Sequence, residues 1–220
     1  MELFSFLEKL TDKGWLAEFV PRVPGVETRY DKEEMLAALE PFHRQKVEEM
    51  GCRWESLWRA EQIHGIEVEE VPASKASSRT ISGVDGLMTN DEEALLGIYV
   101  ADCGLLWVVD EGTGARALLH SGRKGSEGGI LLQAIRKMEA QYGTKAEDLT
   151  VILGPCIRPP NYEVDIVAMM SQQAKEAGVG EFVDCGLCTG SDLERFYSYR
   201  LEKGKTGRML GLLGGRRGKV

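Results

Sequence analysis

The stretch "IYVADCGLLWVVD", residues 98–110, reads as an apolar β-strand with an acid and a thiol, Asp102 and Cys103, set in its middle. Its flanks carry the aliphatic and aromatic residues that fill strands, whereas Asp is depleted from strand interiors and a buried unpaired carboxylate is expensive. Apolar residues at successive positions predict a strand covered on both faces, as in a layered domain. In a regular strand residues 102 and 103 point to opposite faces, so both line one site only where the strand ends or bulges. Asp102 is therefore expected to hold structure by hydrogen bonding. Cys103 is either a core thiol or part of a reactive centre.

Working outward, strand-like segments crowd around this stretch: "LWRAEQI" (57–63), "IEVEEV" (66–71), "DGLMT" (85–89), "LLGIYVA" (95–101), "LLWVVD" (105–110) and "ARALLH" (115–120). The second alternates cleanly, which predicts one solvated face. Upstream, Asp31 followed by Glu34 has the form of a capping box opening a helix, and Pro41 is expected to break or restart it before Gly51. Residues 73–83, "ASKASSRTISG", form the best loop. Downstream, a helix fits Ile130–Tyr142 with Gly143 as its stop, then the strand "LTVILG" (149–154) and a helix from about Asp165 to Gly178. Helices before, between and after a central block of strands predict a layered α/β or α+β domain. There is no internal repeat.

With 220 residues, 43% hydrophobic and 28% charged, the chain has the composition of one soluble globular domain with a real core. Its net charge of −8 argues against broad nucleic-acid binding, which uses basic surface. The local exception lies after Glu202, where six basic residues and no acidic one lead to "GGRRGKV"; residues 203–220 are expected to be a partly flexible basic tail. No apolar run is long enough to span a bilayer. "MELFSFLEKL" lacks the basic start of a signal peptide and reads as a short amphipathic helix. Five cysteines in a chain of this size suggest free thiols and a cytoplasmic location.

The three histidines, His43, His64 and His120, bound any imidazole chemistry tightly. His43 sits among charged neighbours in "EPFHRQKVEEMG" and is expected on the surface or packing its helix. His64 and His120 each end an apolar strand beside glycine, and Cys103 lies between them in sequence. Two neutral imidazoles and one thiolate suit zinc, leaving a fourth tetrahedral position for water, as in catalytic rather than structural sites. Satisfied structural residues, or a metal-free Cys/His nucleophile pair, are the other readings of the same residues.

"HSGRKGSEGGI", residues 120–130, joins a strand to a helix through four glycines, with Arg123 and Lys124 at the helix start. Free backbone N–H groups and two cations favour an anion such as phosphate there, although the segment is not a nucleoside-triphosphate P-loop. An ordinary turn is the alternative. "CGLC", Cys185 to Cys188, has no second C-x-x-C and no strand-then-helix setting, so a redox role is not expected. Cys156 lies in the rigid "LGPCIRPPNYEVD", a structural turn or a pocket wall.

Taken together, "QIHG", "VDGLMTN", "YVADCGLLWVVD", "HSGRKG", "LGPCIRPPNYEV" and "CTGSDLERFYSYRLEKGKTGR" resemble, in order and across residues 60–210, the YfiH-like family, also called laccase-domain or polyphenol-oxidase family proteins. The resemblance implies an α+β fold, a single compact α-β-β-α domain over residues 1–220. It also implies zinc held by His64, Cys103 and His120, the three residues already singled out. The activities it implies are phosphorolysis of adenosine, inosine, guanosine or methylthioadenosine, and hydrolytic deamination of adenosine, with purine nucleoside and phosphate as partners. Arg123 and Lys124 would then hold phosphate. Where the family loop resembles H-A-G-W-R-G, this chain has Arg123 at the Trp position and Lys124 at the Arg position. Lys keeps the charge and loses the bidentate fork. The region around 172–186 is also shorter. Three histidines are too few for a multicopper assembly; a copper-dependent phenol oxidase, a metal-free Cys103/His120 hydrolase and a non-catalytic nucleoside-binding protein are the rival functions.

Overall fold

A computed structural model describes residues 5–72 and 79–217. Along the chain run α1 (Glu8–Thr11), β1 (Trp15–Val20), α2 (Lys32–Glu49), β2 (Leu57–Ala60), β3 (Val68–Glu70), β4 (Thr80–Ile81), β5 (Gly86–Thr89) and β6 (Leu95–Val100). Then follow β7 (Gly104–Asp110), β8 (Arg116–Ser121), α3 (Arg123–Gly128), α4 (Ile130–Tyr142), β9 (Leu149–Leu153), α5 (Ile166–Ala177), β10 (Glu181–Asp184) and β11 (Met209–Arg216). One sheet has the order β1-β11-β6-β2-β4 and the other β10-β9-β7-β8-β5-β3, both mixed.

The alternation of side chains along β7 explains the layering. Leu105, Trp107 and Val109 point into a core shared with Leu96, Ile98 and Leu213 of the other sheet. Leu106 and Val108 point the opposite way, against Ile130, Leu131 and Ala134 of α4 and Ile166 and Met170 of α5. On the far side of the first sheet, Val47 of α2 packs with Leu57, Leu95 and Leu210. Helix, sheet, sheet and helices therefore stack as the α+β, α-β-β-α arrangement. The Trp107 Nε1 donates to the Leu212 carbonyl at 2.9 Å, pinning the sheets together. They approach so closely at Gly211 that a Cβ there would lie 2.2 Å from a Leu105 methyl.

The deciding stretch is two strands, and this corrects the reading of it as one. β6 pairs with β11 and β2 in the first sheet, and β7 pairs with β8 and β9 in the second. Ala101, Asp102 and Cys103 form the corner between the sheets, with Asp102 in the left-handed region at φ +82°. Asp tolerates that conformation better than most residues. Two apolar strands abutting at a short corner look continuous in sequence.

Other expectations fare variously. Helices α4 and α5 have the expected extents, each stopped by a left-handed glycine, Gly143 and Gly178. Asp31 caps α2 by accepting from the Glu34 N–H at 2.8 Å. Pro41 does not break that helix. It lies on the exposed face, as does Ala37, whose carbonyl it leaves free for water, while Met35, Leu39, His43 and Val47 form the buried stripe. The loop expected over 73–83 lies outside the described residues at 73–78, and Thr80–Ile81 adds a short strand to β2.

The expected flexible tail over 203–220 needs a larger correction. Met209–Arg216 is a buried strand hydrogen-bonded between β1 and β6. Between Arg208 and Arg216 the segment "MLGLLGG" carries no charge, and its leucines enter the cores on both faces of the sheet. Residues 218–220 lie outside the described residues.

Candidate metal centre and its cavity

His64 does not end a strand. β2 stops at Ala60, and the following loop carries Gln62 and His64 at φ +64° and +63°. Two non-glycine residues in the left-handed region persist only when their surroundings over-determine them. Here the Asp85 carboxylate accepts from the backbone N–H groups of Ile63 (3.2 Å), His64 (2.9 Å) and Gly65 (2.6 Å). The Gln62 amide clamps the Tyr99 backbone, donating to its carbonyl at 2.5 Å and accepting from its N–H at 3.0 Å.

Asp85 also holds the second imidazole. Its Oδ1 lies 2.7 Å from His120 Nδ1 near the end of β8, with both side chains buried. One carboxylate thus fixes the loop bearing His64 and leaves His120 Nε2 free to face Cys103. Burial pushes the Asp85 carboxyl up, but hydrogen bonds from His120 and the 64–65 backbone outweigh it and hold it below its ordinary value.

Cys103 is delivered by the inter-sheet corner. The Asp102 carboxylate accepts from Thr189 Oγ1 (2.6 Å), Ser198 Oγ (3.0 Å) and the Arg200 N–H (2.7 Å), and its carbonyl accepts from the Ile157 N–H at 2.8 Å. Its role is the structural hydrogen bonding expected of it. The next residue is left facing the histidines. The ligand atoms of His64, Cys103 and His120 lie within 4.8 Å of one another, and the two rings stand edge to face at 4.8 Å between centroids.

The donor set fits one small cation. Gly122 sits against all three side chains: a Cβ there would lie 3.0 Å from His64 Cδ2 and 3.1 Å from Cys103 Sγ. Burial pushes the Cys103 thiol up, yet hydrogen bonds and charge from His120 and His64 pull it well below its ordinary value. Burial also works against the His120 cation, while Asp85 and Cys103 raise its pKa. These contacts favour a thiolate beside an imidazolium, the charge arrangement in which a cation could take the proton's place.

The trio opens into a cavity of about 580 Å³, a size that suits small organic ligands. Arg123 and Lys124 line it, as expected, from the start of α3. Arg123 is tied to Glu127 at 2.8 Å, whereas Lys124 has no such partner among the described residues. The sequence reading missed three further cations in the lining: Lys32, Arg200 and Arg208. Burial lowers the Lys32 pKa and Arg208 lowers it further; burial lowers that of Arg208, opposed by the neighbouring Cys103. Arg200 pairs with Glu163 at 2.8 Å. Tyr99, Tyr162 and Tyr199 supply aromatic surface, and Asp102, already saturated, is the one acid. "YSYRLEKGKTGR" contained the signal for Arg200 and Arg208, and "VDGLMTN" contained Asp85 without indicating its role; nothing near Lys32 marked it beforehand.

The remaining candidates lie elsewhere. His43 is fully buried in α2, packing rather than exposed, with its ring 5.6 Å from that of Tyr99. Cys185 and Cys188 do not line the cavity, and neither does the buried Cys156.

Comparison with known proteins bears on the family and the fold. Residues 28–166 and 162–216 match the family described as "Multi-copper polyphenol oxidoreductase laccase". The chain is 27% identical over 194 residues to purine nucleoside phosphorylase YlmD of Geobacillus stearothermophilus, covering 71% of each. It is 30% identical over 179 residues to a purine nucleoside phosphorylase of Corynebacterium glutamicum, covering 70% of this chain and 72% of that one. The crystal structure of YlmD from G. stearothermophilus superimposes with a TM-score of 0.80 at 24% identity over 93% of both chains. That of YfiH from Bacillus licheniformis gives 0.78 at 18% identity over 91% of this chain and 90% of the other. The chain belongs to this laccase-domain, YfiH-like family.

Proposed function

We propose that this protein is a zinc-dependent purine nucleoside phosphorylase. The observation that carries the reading is the placement of the His64/Cys103/His120 trio and a group of cations in one cavity of nucleoside size. A family name built on copper does not suit these residues: multicopper assemblies draw on many imidazoles, and this chain has three histidines, of which two face the site. The relatives named purine nucleoside phosphorylase favour the same class of substrate.

His64, Cys103 and His120 would hold the metal, and a zinc ion there supplies a Lewis acid beside the purine end of the substrate. Asp85 keeps His120 in the tautomer that presents Nε2. Lys124 and Arg208, with Lys32 and Arg123 beside them, bind inorganic phosphate and concentrate its charge near ribose C1′. A phosphate oxygen forms the new bond to C1′ as the bond from C1′ to the purine N9 breaks. The electron pair of that bond leaves with the base, which takes up a proton, giving ribose 1-phosphate and free purine. The mutual repulsion between Lys32 and Arg208 is relieved when the dianion enters. Tyr162 and Tyr199 offer faces for the base or sugar.

Hydrolytic deamination of adenosine is the second reading, favoured by a metal trio that opens directly into the cavity. Incubating protein of measured metal content with adenosine or inosine, with and without phosphate, separates the two. Phosphate-dependent release of free base supports phosphorolysis. Phosphate-independent conversion of adenosine to inosine would replace it with deamination.

A further inference from the structure

The two ends of β8 carry different chemistry. His120 lies at one end, in the metal centre. Arg116 begins the other, about 13 Å away at strand spacing, and lines a second cavity of about 480 Å³. The two cavities share no lining residue.

Arg116 is fully buried. Its Nη2 donates to the carbonyls of Asp91 (2.5 Å) and Ala94 (2.7 Å), and its Nε and Nη1 have no acceptor among the described residues. Trp15 lines the same cavity, and its buried Nε1 also lacks an acceptor. A guanidinium has five N–H groups. With those on Nη2 used, the rest together with the indole leave four buried donors unmatched, each a substantial cost. Arg216 lies over the Trp15 ring at 5.7 Å, and among the described residues its side chain donates only to the carbonyls of Lys13 and Glu111. Arg216 and Arg217 add positive charge to the lining, Lys13 is paired with Glu111 at 2.5 Å, and Glu92 is the lining's one carboxylate.

We propose that this second cavity binds a compact oxyanion of the phosphate class. The unmatched groups are all donors, so the ligand must be rich in acceptors. Three of them belong to a buried cation that has no carboxylate hydrogen-bonded to it among the described residues, so a negative ligand suits them. Asp91 and Glu92 act on this charge only through space, and water supplies acceptor lone pairs without adding negative charge. The site is independent of the phosphate expected beside the metal centre, and stands whether or not the proposed activity does.

The test is a titration of the full chain with inorganic phosphate, followed by the indole N–H resonances in 15N-correlated NMR spectra and assigned with Trp15→Phe. The Trp15 indole signal is expected to shift saturably with phosphate and not with sodium chloride at matched ionic strength. Arg116→Leu should weaken that binding by about tenfold or more, from the loss of charge-assisted hydrogen bonds. Arg216→Ser, at an exposed position, should weaken it in the same direction and serves if Arg116→Leu does not fold. Lys124→Ala, in the other cavity, should leave the Trp15 titration unchanged. A Trp15 signal that ignores phosphate, follows ionic strength alone, or titrates identically in the Arg116 or Arg216 variants would overturn the proposal.

Discussion

Asp85 does more for the candidate centre than any residue that touches the cavity opening. It binds His120 Nδ1 and three successive backbone N–H groups around His64. Asp85→Asn replaces a four-fold acceptor with an amide that has a single oxygen and no charge. Metal affinity should fall about 10- to 100-fold, the usual cost of losing the partner that orients a ligating histidine. Competition against a chelator measures it, with circular dichroism to confirm folding. His43 offers a second residue-scale outcome. Burial holds its pKa at about 4 in the folded chain, against an ordinary value of 6.5. The unfolded state therefore takes up the proton first. The stability tied to keeping this ring neutral is complete above about pH 6.5 and is lost as pH falls towards 4. The loss should reach about 3 kcal/mol. Urea titrations across that range should show this acid sensitivity reduced in His43→Leu.

Pro41 and the corner at 101–103 show what can be read of elements from sequence. A proline inside a helix costs about 3 kcal/mol relative to alanine when nothing compensates. On the exposed face of α2 the freed carbonyl is hydrated, so Pro41→Ala should stabilise the protein by about 1–3 kcal/mol, read as a raised urea midpoint with unchanged slope. Where apolar periodicity ended in a left-handed glycine, as at Gly143 and Gly178, helix limits were legible. Exposure of Pro41 was not legible, because it depends on which stripe the rest of the fold buries. The corner was hidden because β6 and β7 are both apolar, and only their pairing partners show that they belong to different sheets. β11 was obscured by its basic flanks, although its own residues are uncharged up to Arg216. The site divides in the same way. His64, Cys103 and His120 stood out because imidazoles are scarce in this chain. Asp85 and Lys32 join the site only when distant segments meet.

At the scale of the whole molecule, the two stacked sheets exist around a boundary that delivers one thiol. Cys103 leaves the first sheet and faces imidazoles presented by the second sheet and its preceding loop, while cations from α2, α3 and the segment before β11 close around them. The proposed phosphorolysis draws on all of these at once, which gives the account a direct test in Cys103→Ser. Zinc per chain and phosphate-dependent release of purine from inosine are measured on the same preparations of wild type and variant. The account predicts about one zinc per wild-type chain, and loss of both metal and turnover in a folded variant, because a neutral hydroxyl replaces thiolate poorly as a ligand. Full activity in rigorously zinc-free wild type would contradict it.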